Sequence, residues 1–190
     1  MGKQYEKIDS LHREFIARQH IFFTGTATAE SRINISPKGL DALRILDDHT
    51  VAYLDLTGSG NEAAAHLRAD GRITLMFCAF EDRPQILRLY GRGHTLTRGT
   101  PAYESLLSSA FQQREQPGAR QIVVLTVDLV QTSCGFGVPL FDYAGERSNL
   151  IDWAVNKGDS GLDAYRREKN SRSIDGLPTG LFDEAANSQP

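Results

Sequence analysis

The sequence predicts a mainly β (α+β) fold, either an antiparallel barrel or a strongly bent sheet with helices around it. Two observations predict it. About six segments are rich in β-branched and aromatic residues, and most of them alternate polar and apolar positions with the period of two that is typical of strands. Short turns connect most of these segments, as in antiparallel sheets.

The predicted elements follow one another along a single domain. The strands are expected at residues 20–28, 32–36, 51–56, 72–80, 86–96 and 121–133. Helices are expected at residues 4–18, 61–69, 100–113, 148–157 and 162–169, from apolar spacings of three and four and from proline and glycine at their ends. The domain is expected to cover residues 1–178, with a helical extension over about 145–178 and a flexible polar tail over 179–190.

Composition excludes several classes of function. The chain has 190 residues and a net charge of −3, which argues against a general nucleic-acid binder. No apolar run approaches the roughly 18 residues that cross a membrane, and no apolar stretch follows the first lysines as in a secretory signal. Two cysteines form no disulfide framework, and the five histidines show no metal-ligand spacing. The expected location is the cytoplasm, and no metal site is expected.

The turn Thr57-Gly58-Ser59-Gly60 is the strongest candidate for a ligand site. It follows a strand, and a helix is expected from Asn61. The start of a helix leaves backbone N–H groups free and carries the positive end of the helix dipole, so it favours a phosphate or another anion. The two glycines allow a ligand to come close to the backbone.

Two other interpretations of this turn remain open on its sequence alone. Residues 58–63 fit the G-x-G-x-x-A pattern of a dinucleotide-binding fold, with Glu81 about 20 residues further on. The hairpin before the turn and the two long strands after it argue against that fold, as does the alternation over residues 53–57. The turn could also be a glycine-rich helix cap that binds no ligand.

A second candidate lies on the strand over residues 32–36. Asn34 and Ser36 share one face of this strand, and Lys38 follows at its end. An amide, a hydroxyl and an ammonium group can together hydrogen-bond a polar ring or a phosphate. The alternative is a solvated outer face. Arg88 lies in an otherwise apolar strand. It is either a ligand for an anion or a side chain that is exposed to solvent or paired with another protein group.

In combination, three segments closely resemble the pyridoxamine 5′-phosphate oxidase-related FMN-binding proteins. They are residues 34–39 (NISPKG), 53–61 (YLDLTGSGN) and 87–92 (LRLYGR). The later segments 133–139 and 168–178 resemble one branch of that family, and the resemblance covers about residues 10–178. It implies a six-stranded split β-barrel that forms a homodimer, with FMN held at the subunit interface.

The resemblance also assigns roles to individual residues. The phosphate would lie at the start of the helix, the flavin would lie against two strands, and the partner subunit would complete the pocket. The implied FMN-binding residues are Asn34, Ser36 and Lys38 for the flavin and ribityl chain, Asp55, Leu56 and Thr57 beside the isoalloxazine ring, Ser59, Gly60 and Asn61 for the phosphate, Arg88 as a basic contact, and Trp153 with the 134–138 turn from the partner.

One departure from the family changes the expected activity. The oxidases carry a Ser-Arg-Lys run at the phosphate turn, whereas this chain has Ser59-Gly60-Asn61. Each missing cation would have made a charged hydrogen bond to the phosphate worth roughly 1.5–3 kcal/mol. Lys38 and Arg88 are the cations expected to replace them. The sequence therefore favours an FMN-dependent oxidoreductase of unknown substrate over oxidation of pyridoxamine phosphate. The alternatives are a non-catalytic flavin-binding or sensor module and a deazaflavin (F420) reductase, and no catalytic residue stands out.

Overall fold

One antiparallel sheet dominates the computed structural model, which describes residues 2–81 and 83–183. Within these residues it has eight strands in the order β3-β2-β6-β7-β8-β5-β4, with β1 paired to the far half of β8. The strands are β1 (Lys3–Tyr5), β2 (Phe22–Thr26), β3 (Asn34–Lys38), β4 (Leu43–Ile45), β5 (Thr50–Leu56), β6 (Arg72–Cys78), β7 (Ile86–Thr97) and β8 (Ala119–Ser133), and the helices are α1 (Ser10–Ala17), α2 (Glu62–Ala69), α3 (Pro101–Phe111) and α4 (Asn149–Lys169).

The predicted fold class is confirmed, but the predicted count of six strands is wrong. The two additional strands, β1 and β4, have three residues each and are too short to show a period. Residues 4 and 5 of β1 fall within the first predicted helix, over residues 4–18, which instead begins at Ser10. Asp9 caps that helix by accepting a hydrogen bond from the His12 backbone N–H, while the His12 ring accepts one from the Asp9 N–H.

The sheet curls so that side chains near its two ends come into contact. Lys38 belongs to β3 at one end, and its Nζ lies 2.5 Å from the carboxylate of Asp55 in β5, next to the other end. A bulge between Tyr90 and Gly91 helps to bend the long strands β7 and β8. A Cβ at Gly91 would lie 1.9 Å from the Thr126 carbonyl oxygen, so glycine is required at this close approach.

Two hydrophobic cores cover the two faces of β5. The larger core fills the curl of the sheet and includes Val51 and Tyr53, whereas the smaller one lies under α3 and includes Ala52 and Leu54. The strand is therefore buried on both faces, whereas the alternation of its sequence predicts one polar face. It is nevertheless antiparallel to both neighbours, β4 and β8, which rules out a dinucleotide-binding fold of parallel strands.

The C-terminal part of the domain contains the two predicted helices within α4, and the chain after Lys169 is irregular. α4 contains a non-helical residue, Gly158, with φ of 64°, which divides it near the boundary between the two predicted helices. Residues 170–178 form an irregular turn. Thr179 is buried and Asp183 pairs with Arg68, so residues 179–183 belong to the domain and not to a tail. Residues 184–190 lie outside the described residues.

The described helices include none that is long and apolar enough to cross a membrane.

Candidate functional site

A cavity of about 310 Å³ lies where β3, β5 and the start of α2 come together. Eight of the eleven residues predicted to bind a cofactor line it, namely Asn34, Ser36, Lys38, Asp55, Leu56, Ser59, Gly60 and Asn61. Two larger cavities, of about 920 and 850 Å³, lie beside α1 and the 141–146 segment and contain none of the eleven. Most of the predicted residues therefore converge on one place in the fold.

The strand period puts three of these side chains on the inner face of β3. Asn34, Ser36 and Lys38 lie opposite Thr26, Thr24 and Phe22 of β2, all of which are buried. The Asn34 amide donates to the Thr26 hydroxyl at 3.2 Å, and the Ser36 hydroxyl donates to the Asn34 Oδ1 at 3.1 Å. Polar groups on this face are thus held in place and point toward the curl.

Asp55 is the centre of the polar network beneath the cavity. Its carboxylate, 2% exposed, accepts hydrogen bonds from Lys38 Nζ at 2.5 Å, Arg120 Nε at 2.9 Å and Gln121 Nε2 at 2.8 Å. Burial opposes ionisation, but the positive charges of Arg120 and Lys38 outweigh it and hold the pKa of the Asp55 carboxyl well below its usual range. Asp55 is therefore a carboxylate that anchors two cations.

Arg120 and Gln121 are not among the residues predicted from the sequence. They are the second and third residues of β8, where Gln121 lies directly opposite Asp55 in the register. Arg120 is 5% exposed, lines the cavity and also donates through Nη1 to the carbonyl oxygen of Gly60 at 2.9 Å. The only signal in the sequence was an Arg-Gln pair at the start of a strongly apolar strand. That signal identifies no partner until the register is known.

The start of α2 has no side-chain cap. Asn61 occupies the N-cap position, but its Oδ1 accepts from Gln121 Nε2 at 2.9 Å and no backbone N–H of the helix. Its Nδ2 is buried and has no hydrogen-bond partner among the described residues. The backbone N–H groups of residues 59–64 likewise donate to no acceptor within the described chain. Unpaired donors therefore accumulate at one end of the cavity.

The formal charges around the cavity cancel. Lys38 and Arg120 are positive, and Asp55 and Glu62 are negative. Glu62 is the first residue of α2, and its carboxylate accepts a hydrogen bond from the Ile174 N–H at 3.0 Å. An anion in this cavity would consequently be held mainly by neutral N–H donors and by the helix dipole.

Three of the predicted residues do not line the cavity of their own chain. Thr57 is buried, and its hydroxyl donates to the Gly118 carbonyl at 2.8 Å. Arg88 lies on the outer face of the sheet, between Met76 and Gln131 in the register, and donates to the Ser133 hydroxyl. Trp153 of α4 packs edge-on against Tyr165, with ring centroids 5.1 Å apart.

Solved structures share this fold at low sequence identity. HupZ of Group A Streptococcus gives a TM-score of 0.52 at 22% identity, covering 64% of this chain and 91% of that chain. A putative pyridoxamine 5′-phosphate oxidase from Lactobacillus delbrueckii gives 0.52 at 13% identity, covering 66% of this chain and 94% of that chain. These likenesses show the fold alone.

Sequence comparison identifies the family. The family model for pyridoxamine 5′-phosphate oxidase matches residues 8–134, which is more than half of the chain. The chain is also 36% identical over 192 residues to the pyridoxamine 5′-phosphate oxidase family protein ustO of Aspergillus flavus, covering 92% of this chain and 76% of that protein. The protein therefore belongs to the pyridoxamine 5′-phosphate oxidase family, as the three motifs indicated.

Proposed function

We propose that the protein binds FMN in the cavity between β3, β5 and α2, and that it is an FMN-dependent oxidoreductase acting on a small molecule. The observation that carries this proposal is the uncapped start of α2 together with the buried, unpartnered Nδ2 of Asn61. A buried donor without a partner is costly, and a phosphate oxygen at this point would satisfy it.

The phosphate end of the site fits an anion by shape as well as by chemistry. No atom lies within 4 Å of the place that a Cβ on Gly58 would occupy, so a ligand can approach the backbone there. Ser59 is exposed and offers a hydroxyl beside the free N–H groups of residues 59–61. These donors would hold the phosphate, while Arg120 steadies the turn through the Gly60 carbonyl.

The remainder of the cavity suits the other parts of FMN. Asn34, Ser36 and Lys38 supply donors and acceptors along β3 for ribityl hydroxyl groups and ring heteroatoms, and Leu56 supplies an apolar contact. Bound FMN would supply the redox chemistry, while the protein orients it and sets its surroundings. The carboxylate of Asp55 holds Lys38 beside the ligand position.

We infer that the protein forms a homodimer in which a second subunit covers the flavin. The cavity, at about 310 Å³, is at the small end of the range for ligand pockets. The outer face of the sheet carries Ile35, 68% exposed, as well as Phe23 and Met76, and Ile33, just before the edge strand β3, is 76% exposed. Arg88 lies on that face and would be available to a neighbouring subunit, and Trp153 is proposed for the same role.

A non-catalytic flavin-binding module is the second candidate, and one observation favours it. The two carboxylates that line the cavity, Asp55 and Glu62, both accept hydrogen bonds from the protein, and the cavity lining includes no histidine. Within the described chain, the cavity lining thus includes no free carboxylate and no imidazole. Anaerobic photoreduction of the FMN-loaded protein, followed by a screen of electron acceptors and donors, separates the two candidates. Turnover supports the enzyme, and its absence favours the module.

The first experiment is a visible spectrum of the purified protein, followed by titration with FMN and mass spectrometry of any bound ligand. We expect a flavin spectrum or quenching of FMN fluorescence at a 1:1 ratio of FMN to chain. A colourless protein that leaves FMN fluorescence unchanged would disprove the proposed function. A deazaflavin in the mass spectrum would show that the cofactor is of the F420 type and not FMN.

A further inference from the structure

The segment after α4 holds the turn that precedes α2, and the flavin site alone does not explain this contact. Asn170, directly after α4, is fully buried. Its Nδ2 donates to the carbonyl oxygen of Gly58 at 3.0 Å, and its Oδ1 accepts from Arg120 Nη1 at 2.8 Å. A single side chain thus joins the end of the domain to the turn and to β8.

The backbone of Asn170 is fixed as firmly as its side chain. Its N–H donates to the Arg166 carbonyl at 2.8 Å, and its carbonyl accepts from the Thr179 hydroxyl at 2.7 Å. Thr179 is itself 3% exposed and also donates to the Ser171 carbonyl through its N–H. The amide of Asn170 therefore has little freedom to leave Gly58.

The contacts of Asn170 and Arg120 determine how the turn presents its donors. Asn170 binds the carbonyl of Gly58, and Arg120 binds the carbonyl of Gly60. In a trans peptide the carbonyl and the following N–H point in opposite directions, and the described chain contains no cis bond. The N–H groups of Ser59 and Asn61 therefore point away from these two partners. Both are among the N–H groups of residues 59–64 that have no acceptor within the described chain.

The same segment also fixes the elements on either side of the turn. The Ile174 N–H donates to the Glu62 carboxylate, which holds the first residue of α2. The carboxylate of Asp175 accepts from the backbone N–H of Arg32 at 2.8 Å, just before β3. A tight turn with Gly176 at φ of 82° allows these contacts from one short stretch. Residues 170–176 thus link both walls of the cavity.

We propose that Asn170 is a positioning residue for the phosphate of the cofactor: it fixes the Gly58 peptide so that the Ser59 N–H faces the anion. This inference rests on the proposed function, because it concerns the same site. It makes a selective prediction. Loss of the Asn170 amide should weaken ligands that carry a phosphate and leave the phosphate-free analogue riboflavin unaffected, since β3 and β5 remain in place.

The test compares FMN and riboflavin by fluorescence titration on the full chain. Asn170→Ala removes both hydrogen bonds, and Asn170→Asp keeps an acceptor for Arg120 but removes the donor to Gly58. Asn156→Ala, an exposed asparagine on α4, is the matched control. We expect FMN to bind about five- to tenfold more weakly to both Asn170 variants, the scale of one hydrogen bond, with riboflavin and the control unchanged.

The possible results are separable. Wild-type protein that binds neither flavin overturns the proposed function and this inference with it. Wild-type binding with unchanged FMN affinity in the Asn170 variants overturns the positioning role alone. An equal loss for FMN and riboflavin assigns Asn170 a purely structural role and likewise overturns it. If Asn170→Ala does not fold, as judged by circular dichroism, Asn170→Asp decides the question by the same ratio of affinities.

Discussion

Truncation of Asn61 gives the most direct test of the phosphate site. In the described structure its Nδ2 is buried without a partner, and its Oδ1 accepts from Gln121. Asn61→Ala removes the donor that a phosphate would use. A hydrogen bond to a charged group contributes roughly 1.5–3 kcal/mol, so FMN should bind about 10- to 150-fold more weakly.

The same substitution should have little effect on the stability of the protein without ligand. Removing the bond with Gln121 costs about 1 kcal/mol, but Gln121 Nε2 keeps its bond to Asp55 at 2.8 Å. Removing a buried, unpaired donor recovers a comparable amount. We therefore expect the free energy of unfolding in urea to change by less than about 1 kcal/mol. Weaker FMN binding with unchanged stability is the result expected of a side chain that binds the ligand and does not stabilise the fold.

The assay pairs FMN titration with chemical unfolding on one preparation, with riboflavin as the phosphate-free control. Riboflavin affinity should stay within about twofold of wild type, because the only bond to the ligand that is removed is the one to the phosphate. The reasoning is refuted if Asn61→Ala binds FMN as tightly as wild type. It is equally refuted if the substitution destabilises the ligand-free protein by several kcal/mol, since Asn61 would then serve the fold.

Three further predictions concern the turn, the buried carboxylate and the sheet face. Ser59→Ala should keep the fold and weaken FMN binding by about 1–2 kcal/mol in fluorescence titration, and unchanged affinity would count against a phosphate at this turn. The pKa of Asp55 lies below its unfolded value of about 3.9, so its contribution to stability is complete above about pH 5 and is lost as pH falls below about 4. Asp55→Asn should thus be about 3 kcal/mol less stable than wild type near pH 7 in urea unfolding, with the gap narrowing below about pH 4; a constant gap would contradict the ion pairing. Ile35→Glu should yield monomers in light scattering while Val155→Glu, on an exposed face of α4, stays dimeric, and a dimer in both would place the interface elsewhere.

Local patterns in the sequence were enough to locate much of the cavity. The inner face of β3 follows from the period of two, which puts Asn34 and Ser36 on one side whatever the strand pairs with. The free start of α2 follows from the glycines before Asn61. Contacts between neighbours in sequence, or along one strand, are determined by backbone geometry and can be predicted before the fold is known.

Long-range partners could not be predicted in this way. Arg120 lies 65 residues from Asp55, and Asn170 lies 112 residues from Gly58. Their meeting depends on the β5–β8 register and on where the chain goes after α4, neither of which has a local signature. The strands β1 and β4 were missed for a related reason, because three residues form a strand only when a neighbour supplies the hydrogen bonds.

Within one described chain, neither of the two cations that the sequence suggested, Lys38 and Arg88, lies free at the proposed phosphate turn. Lys38 lines the cavity, but Asp55 neutralises it, and Arg88 lies on the other face of the sheet. Arg120 supplies a further charge and shares the same carboxylate, while Glu62 adds a negative one. A phosphate would therefore be recognised here by oriented neutral donors. Neutral donors give less affinity than charged ones, and their hydrogen bonds depend strongly on geometry. A site built from them therefore needs a rigid backbone. The buried network of Arg120, Gln121 and Asn170 behind the turn would supply that rigidity, which a site built from flexible lysine or arginine side chains would need less.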